Sequence, residues 1–105
     1  MGIYSLNANE VEPEKSAHGY TKFLHRSEEV GHPTIQIRHW GPETNIPVHR
    51  HTFNEMFYVL EGEVEIGDQI YPAGSCIFID RGTLYGPTRA PKGGTVLRYG
   101  EGKSK

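Results

Sequence analysis

Short strand-like segments separated by turn residues limit what this chain can fold into. Residues 34–40, TIQIRHW, alternate β-branched and polar side chains, and residues 55–66, EMFYVLEGEVEI, have an apolar centre. Turn signals recur about every eight to twelve residues, a spacing typical of all-β domains. Because no segment shows a convincing helical period, we predict an antiparallel β-sandwich or barrel. With 105 residues, the chain fits one domain.

The same pattern predicts where individual strands lie. We expect single strands in five segments, namely 20–25, 34–40, 67–74, 75–80 and 95–100. Residues 55–66 are expected to form a strand, a turn around Glu61-Gly62 and a second strand. Loops are expected in three segments, 10–15, 41–47 and 81–94, the last with one short extended piece. The predicted organisation is an N-terminal extension with short strands (1–30), the barrel domain (31–100) and a disordered tail (101–105).

Charge and hydropathy exclude several classes of partner. The formal net charge is −2 and the pI is about 6.3, so the sequence lacks the basic character of nucleic-acid-binding proteins. Its apolar runs are far shorter than the ~18 residues that a membrane span needs. The only cysteine, Cys76, rules out an intrachain disulfide and is compatible with the cytoplasm, where we expect the protein. We expect a small-molecule ligand, no nucleic acid, no membrane, and a homodimer that covers exposed strand edges.

The segment PVHRHTFNE, residues 47–55, places two histidines and a carboxylate close together. On a strand, His49 and His51 point to the same face, and Glu55 returns to it four positions later. Two imidazoles and one carboxylate form the facial set used by non-haem iron, and they leave coordination positions open. We therefore expect a divalent transition metal, iron first, with manganese, nickel, cobalt or zinc as alternatives. The alternative is three solvated polar side chains at a strand end.

Two longer segments resemble the conserved motifs of the cupin superfamily. HRHTFNEMFYVLEG is similar to the first motif, and GDQIYPAGSCIFIDRGTLYGP is similar to the second. The positions that match are His49, His51, Glu55 and Gly62 in the first motif, and Gly67, Pro72, Gly74 and Gly86-Pro87 in the second. The resemblance implies a small antiparallel jelly-roll β-barrel with a metal inside, and it implies that His49, His51 and Glu55 are metal ligands.

Three features depart from that family pattern, namely a longer loop between Gly41 and His49, Asp80 where a proline is common, and, most important, Tyr85. Tyr85 stands where the second cupin motif usually supplies a fourth histidine. Three roles remain open for it. Its phenolate could ligate the metal. Its hydroxyl could contact substrate or metal-bound water and donate a proton. Its ring could only fill the space that a histidine would leave.

Several side chains are expected near the metal. Phe57 and Val59 share the parity of Glu55 and should line the cavity, with Phe53 at its mouth. The strand 34–40 has an apolar face and a polar face, and the sequence does not decide which lines the barrel. If the polar face points inward, Gln36 and Arg38 become candidates to hold an anionic substrate.

The free energy needed to bury charge opposes that orientation. A charged side chain inside a barrel without a partner is unfavourable. We therefore expect Gln36, Arg38 and the comparable Arg98 to face solvent.

These observations lead to three functional hypotheses. The first is a metal-dependent enzyme of dioxygenase, isomerase or lyase type that acts on a small oxygen-bearing molecule. In it, Glu55 serves as a ligand and Tyr85 passes a proton. The second is a non-catalytic binding or sensing module. The third is a scaffold without metal chemistry, which the missing fourth histidine favours and the retained His49, His51 and Glu55 oppose.

Overall fold

The computed structural model describes residues 2–102, and its regular secondary structure is almost entirely antiparallel β-strand. A short 3₁₀ helix, Ala8–Glu10, precedes them. The strands are β1 (Glu14–Ser16), β2 (Gly19–His25), β3 (Thr34–Trp40), β4 (Asn45–Ile46), β5 (Glu55–Ile66), β6 (Gln69–Pro72), β7 (Cys76–Ile79), β8 (Thr88–Arg89) and β9 (Gly94–Gly100).

The strands form one curled sheet in the order β1-β2-β3-β9-β5-β8-β4, and β6 and β7 also pair with β5. Strand β5 connects the two parts of the curled sheet, because its first half pairs with β7 and β9 and its second half pairs with β6 and β8. The predicted all-β antiparallel barrel fold is confirmed. Within residues 2–102, no helix is long and apolar enough to cross a membrane.

The prediction of a turn at Glu61-Gly62 is wrong, because β5 runs unbroken through both residues. The pairing of β5 with β9 shifts between Val59 and Glu61, so the strand bends at a bulge and need not reverse. Gly62 has a φ of 69°, and a Cβ there would lie 2.2 Å from the carbonyl oxygen of Gly93. The glycine is therefore required by a close approach of two strands at the bend.

Two predicted loops and the predicted tail also differ in part from the structure. The segment 10–15 overlaps β1 and the segment 41–47 contains β4, and both strands are too short to show a recognisable alternation. Glu101 does not begin a disordered tail, because both its carboxylate oxygens accept hydrogen bonds from Asn54. The remainder of the predicted tail, residues 103–105, lies outside the described residues.

The core fills the inner face of the curled sheet. Its buried apolar side chains are Trp40, Phe57, Val59, Val64, Ile77, Ile79, Ala90 and Val96. On β3, Gln36 and Trp40 are buried while Ile35 and Ile37 are only half-buried. The polar face of β3 therefore lines the interior, which answers the question that the sequence left open.

Candidate metal and substrate site

A backbone bridge places two of the predicted site residues side by side. The amide of His49 donates to the carbonyl of Tyr85 at 3.1 Å, and the amide of Tyr85 donates back at 3.0 Å. Two residues further along, the carbonyl of His51 accepts from the amide of Gly82 at 2.8 Å. These bonds fix the loop before β5 against the loop before β8.

The imidazole of His49 is oriented by its own loop. Nδ1 of His49 lies 2.9 Å from the carbonyl oxygen of Pro47, so Nδ1 carries the proton and Nε2 keeps a free lone pair. The His51 ring packs edge-on to it, with ring centroids 4.8 Å apart. Burial is the main cause that lowers the pKa of His51, although Glu55 opposes it. The lowered pKa favours the neutral form of His51, which is the form that binds metals.

Glu55 is the most deeply buried polar group of the site, with 1% of its surface exposed. Its Oε1 accepts a hydrogen bond of 2.5 Å from the Tyr85 hydroxyl, and its Oε2 accepts one of 2.8 Å from Nε of Arg98. Nε2 of His51 lies 3.6 Å from Oε1. The expectation that Arg98 faces solvent is wrong, since Glu55 supplies the partner that makes its burial tolerable.

Gln36 and Arg38 also point inward, contrary to expectation. The amide oxygen of Gln36 accepts from Nε of Arg38 at 3.0 Å and from Nη1 of Arg98 at 3.2 Å. Gln36 therefore provides the hydrogen bonds that allow two guanidinium groups to share the interior. Burial, followed by repulsion from Arg98, lowers the pKa of Arg38, so its positive charge is incompletely compensated.

The phenol of Tyr85 retains its proton at neutral pH. Burial is the largest cause that raises the pKa of Tyr85, and the hydrogen bond to Glu55 adds to it. The neighbouring arginines Arg98 and Arg38 oppose the shift without reversing it. Tyr85 is thus a hydrogen-bond donor that already has an acceptor.

These groups surround a cavity of about 90 Å³. Its polar lining consists of His49, His51, Glu55, Tyr85, Arg38, Arg98 and Thr88, and its apolar walls are Trp40, Ile46 and Phe57. The hydroxyl of Thr88 is buried and has no hydrogen-bond partner within residues 2–102. Thr88 was missing from the sequence-based set, and Arg98 was considered there but expected to face solvent. The buried neighbour Val96 shares the parity of Arg98 on β9, and this was the available signal for Arg98.

The predicted apolar neighbours behave differently from one another. Phe57 lines the cavity as expected. Val59 is fully buried in the core and is not among the residues that line the cavity, because β5 carries it further from the mouth. Phe53 stacks on the His51 ring with centroids 4.8 Å apart, and it lines an adjacent cavity of about 220 Å³ to which Arg98 also contributes.

A larger open cavity of about 540 Å³ lies beside β2, around His25, His32 and Tyr4. There, Nε2 of His25 and Nδ1 of His32 are 2.9 Å apart and bond to each other, so one nitrogen of each ring is already engaged. The interior cavity has the richer chemistry despite its smaller volume.

The interior donors can be tested against a divalent metal. Two imidazoles and a carboxylate suit such an ion. Ligand atoms at ~2.1 Å from a tetrahedral metal lie roughly 3.4 Å apart, which is close to the 3.6 Å between His51 and Glu55. As they stand, no three histidine, cysteine, aspartate or glutamate side chains within residues 2–102 are arranged to hold an ion. The three side chains are therefore of the right chemical type for a divalent metal, but they would have to move closer together to bind one. Glu55 would use Oε1, because Arg98 already bonds to Oε2.

Comparisons with known proteins identify the fold family. Three solved structures align well. The first is an RmlC-like cupin from Shewanella frigidimarina NCIMB 400, at 18% identity and a TM-score of 0.78, covering 95% of this chain and 91% of that chain. The second is the polyketide cyclase RemF from Streptomyces resistomycificus, at 17% identity and a TM-score of 0.79, covering 95% of this chain and 80% of that chain. The third is a chain from Rhodobacter sphaeroides SigE in complex with the anti-sigma ChrR, at 16% identity and a TM-score of 0.73, covering 90% of this chain and 51% of that chain. This chain thus spans about half the length of the third.

At these identities the structural likeness concerns the fold alone, and no curated protein sequence matches the chain. The decisive match is to a family model, that of the ChrR cupin-like domain, over residues 6–105. The chain belongs to the ChrR cupin-like domain family of the cupin superfamily.

Proposed function

We propose that this cupin is a metal-dependent enzyme that acts on a small oxygen-bearing organic molecule inside the barrel. The observation that carries the proposal is that His49, His51, Glu55 and Tyr85 all line one interior cavity. His49, His51 and Glu55 would hold the metal, iron first, with manganese, nickel, cobalt or zinc as alternatives. The reaction would be of dioxygenase, isomerase or lyase type.

When bound, the metal would supply a Lewis acid or a centre that uses dioxygen. The chain's own residues prepare the site for that chemistry. The Pro47 carbonyl fixes the tautomer of His49 so that Nε2 faces away from the loop, a common way to orient a histidine ligand. Arg98 holds Oε2 of Glu55 and leaves Oε1 for other contacts.

Tyr85 is the proposed proton donor. Its Oη carries a proton at neutral pH and can release it to an oxygen or carbon of a bound molecule. The charge left on the phenolate would be stabilised by Arg98 and Arg38, both of which favour the ionised form. Trp40 and Phe57 wall the cavity and limit the access of water.

A second candidate, a non-catalytic sensing module, has its own support. The family takes its description from ChrR, and one aligned structure is that of SigE in complex with the anti-sigma ChrR. A sensor would bind the same kind of small molecule in the same cavity and change its association with a protein partner without turnover.

We also propose a homodimer, formed by the outer face of the sheet. Outward side chains from β3, β9, β5 and β7 form two rows across the strands, Ile35, Tyr99, Met56 and Phe78 in one and Ile37, Leu97, Tyr58 and Cys76 in the other. None of the eight is charged. An apolar face matches a second copy of itself in a two-fold dimer.

Sedimentation tests the proposed dimer interface. If this face is the interface, Tyr58→Asp should sediment as a monomer, and an unchanged dimer would contradict the proposal. Cys76, at the edge of this face, is exposed and is a free thiol. The expected cytoplasmic location stays a prediction.

Elemental analysis tests the metal site. The protein is purified without added metal and without a histidine tag, alongside His49→Ala and a matched control, His39→Ala. His39 lies on the outer face, where its Nδ1 is 2.9 Å from the hydroxyl of Thr95. We expect near-stoichiometric metal in the wild type and the control and its loss in His49→Ala. Absence of metal from all three, even after soaking, would contradict the proposal. Conversion of small substrates by the loaded protein would then separate enzyme from sensor.

A further inference from the structure

Arg38 is an interior arginine whose hydrogen-bonding capacity is only partly used. Its Nε donates to Gln36, and none of the ion pairs found among residues 2–102 includes it. The two outer nitrogens of the guanidinium are therefore available to the cavity that Arg38 lines. An arginine with this free edge can bind a carboxylate through two parallel hydrogen bonds.

The charges around the cavity do not balance. The guanidinium groups of Arg38 and Arg98 face one carboxylate, Glu55, and Arg98 is the one that binds it. Two guanidinium groups therefore share one carboxylate, and the positive charge of Arg38 has no carboxylate of its own. Arg38 is half-buried, and a positive charge that is partly removed from water without an ionic partner is unfavourable, so the cavity gains from a ligand with a single negative charge.

Thr88 provides a second, independent observation. Its side chain is 3% exposed, lines the same cavity, and has a hydroxyl without a hydrogen-bond partner within residues 2–102. Buried hydroxyl groups in proteins are rarely left unpaired. A ligand oxygen in the cavity would satisfy this one.

Volume and wall chemistry restrict the ligand further. The cavity of about 90 Å³ is far smaller than the roughly 300–1,000 Å³ that drug-sized ligands occupy. Its walls include Trp40, Ile46 and Phe57, which suit a short apolar body and not a fully hydrated ion. A molecule with one carboxylate and a few carbon atoms meets all these conditions.

We propose that the cavity binds a small monocarboxylate, with its carboxylate on the free edge of Arg38 and one of its oxygens accepting from Thr88. The inference rests on the proposed function for the location of the site, but it requires no metal. Inorganic phosphate offers similar acceptor oxygens, yet at neutral pH a large part of it is a dianion, and it lacks an apolar part. A carboxylate therefore matches the single surplus charge better.

The test is a binding titration on protein treated with a chelator. Pyruvate and glycolate are compared with their uncharged amides, pyruvamide and glycolamide, and with inorganic phosphate at one ionic strength. We expect each acid to bind at least about tenfold more tightly than its amide, a factor that corresponds to ~1.4 kcal/mol. Equal affinity for acid and amide, or tighter binding of phosphate, would overturn the inference.

Two variants and one control locate the ligand. Arg38→Gln should remove the preference for acid over amide, whereas Arg26→Gln, in an exposed ion pair with Glu14, should preserve it. Thr88→Val should weaken acid binding severalfold while raising the thermal midpoint, because it removes an unpaired buried hydroxyl. A purely structural Thr88 would leave affinity unchanged. Unchanged affinity in Thr88→Val would refute the contact with Thr88, and a retained preference for the acid in Arg38→Gln would refute the binding of the carboxylate by Arg38.

The outcomes separate this inference from the proposed function. Acid-selective binding by a protein that takes up no metal would support the carboxylate site and contradict the metalloenzyme. Metal bound through His49 without any preference for acids would support the metal site and contradict the inference.

Discussion

Nε of Arg98 donates to Oε2 of Glu55 at 2.8 Å, and each side chain is less than one-tenth exposed. This ion pair crosses from β9 to β5 inside the barrel. It holds one oxygen of the carboxylate and leaves the other to Tyr85, with His51 nearby. The Tyr85 hydroxyl and Nε2 of His51 are therefore placed against the oxygen that Arg98 leaves free.

Removal of the arginine should therefore destabilise the fold strongly. Arg98→Met would leave Glu55 as a buried charge without its ionic partner, and breaking such a pair typically costs about 3–5 kcal/mol. Urea unfolding of the metal-free protein measures the loss. The matched control is Arg81→Met, because Arg81 forms an exposed ion pair with Glu101 at 3.3 Å and should contribute less than about 1 kcal/mol. Similar losses in the two variants would contradict the structural role of the buried pair.

Tyr85→Phe distinguishes the three roles that the sequence leaves open. The substitution removes only the hydroxyl that donates to Glu55. If Tyr85 donates a proton, metal content should be unchanged and turnover should fall about 10²–10⁴-fold. Loss of metal would instead identify Tyr85 as a ligand, and no change in either quantity would leave only packing. Elemental analysis and steady-state rates, measured on the same preparations, give the answer.

The sequence predicted the barrel well because its signals are local. The alternation in 34–40 and the apolar centre of 55–66 correspond to β3 and β5. The turn at Glu61-Gly62 was wrong for a non-local reason. A glycine in a strand can mark either a turn or a close contact with another strand, and the contact with Gly93 is visible only in the fold.

The interior charges could not be predicted for a similar reason. The rule that unpartnered charges avoid the interior is sound, but it requires knowledge of which partners exist. Gln36 and Arg98, which bond to each other, lie on different strands, 62 residues apart, and Glu55, the carboxylate that accepts from Arg98, lies on a third. The motif containing His49, His51 and Glu55 was recognisable because its residues are close in sequence. Arg98 and Thr88 join the cavity only through strand pairing.

We predict that the Glu101 carboxylate makes a pH-dependent contribution to the free energy of unfolding. Hydrogen bonds from the backbone and side chain of Asn54, with a smaller effect of Arg81, hold the pKa of Glu101 below its ordinary value of 4.5. The ionised carboxylate therefore favours the folded state above the unfolded pKa, and this contribution is lost as the pH falls through the folded pKa. Glu101→Gln should be less stable than wild type at about pH 6, and the difference should shrink toward about pH 3. Urea midpoints across that range measure it, and a constant difference would contradict the assignment.

Gly62 should tolerate alanine much less well than Gly31, although both have positive φ, 69° and 87° respectively. At Gly31 an added Cβ meets nothing within 4 Å, so only the backbone conformation opposes alanine, at a cost of about 1–2 kcal/mol. At Gly62 the Cβ would lie 2.2 Å from the carbonyl of Gly93, so β5 and β9 must also separate at the bend. We expect Gly62→Ala to cost roughly 3 kcal/mol or more in the free energy of unfolding. If urea unfolding shows the same loss of unfolding free energy for Gly62→Ala and Gly31→Ala, the close approach of the two strands is not what excludes a side chain at Gly62.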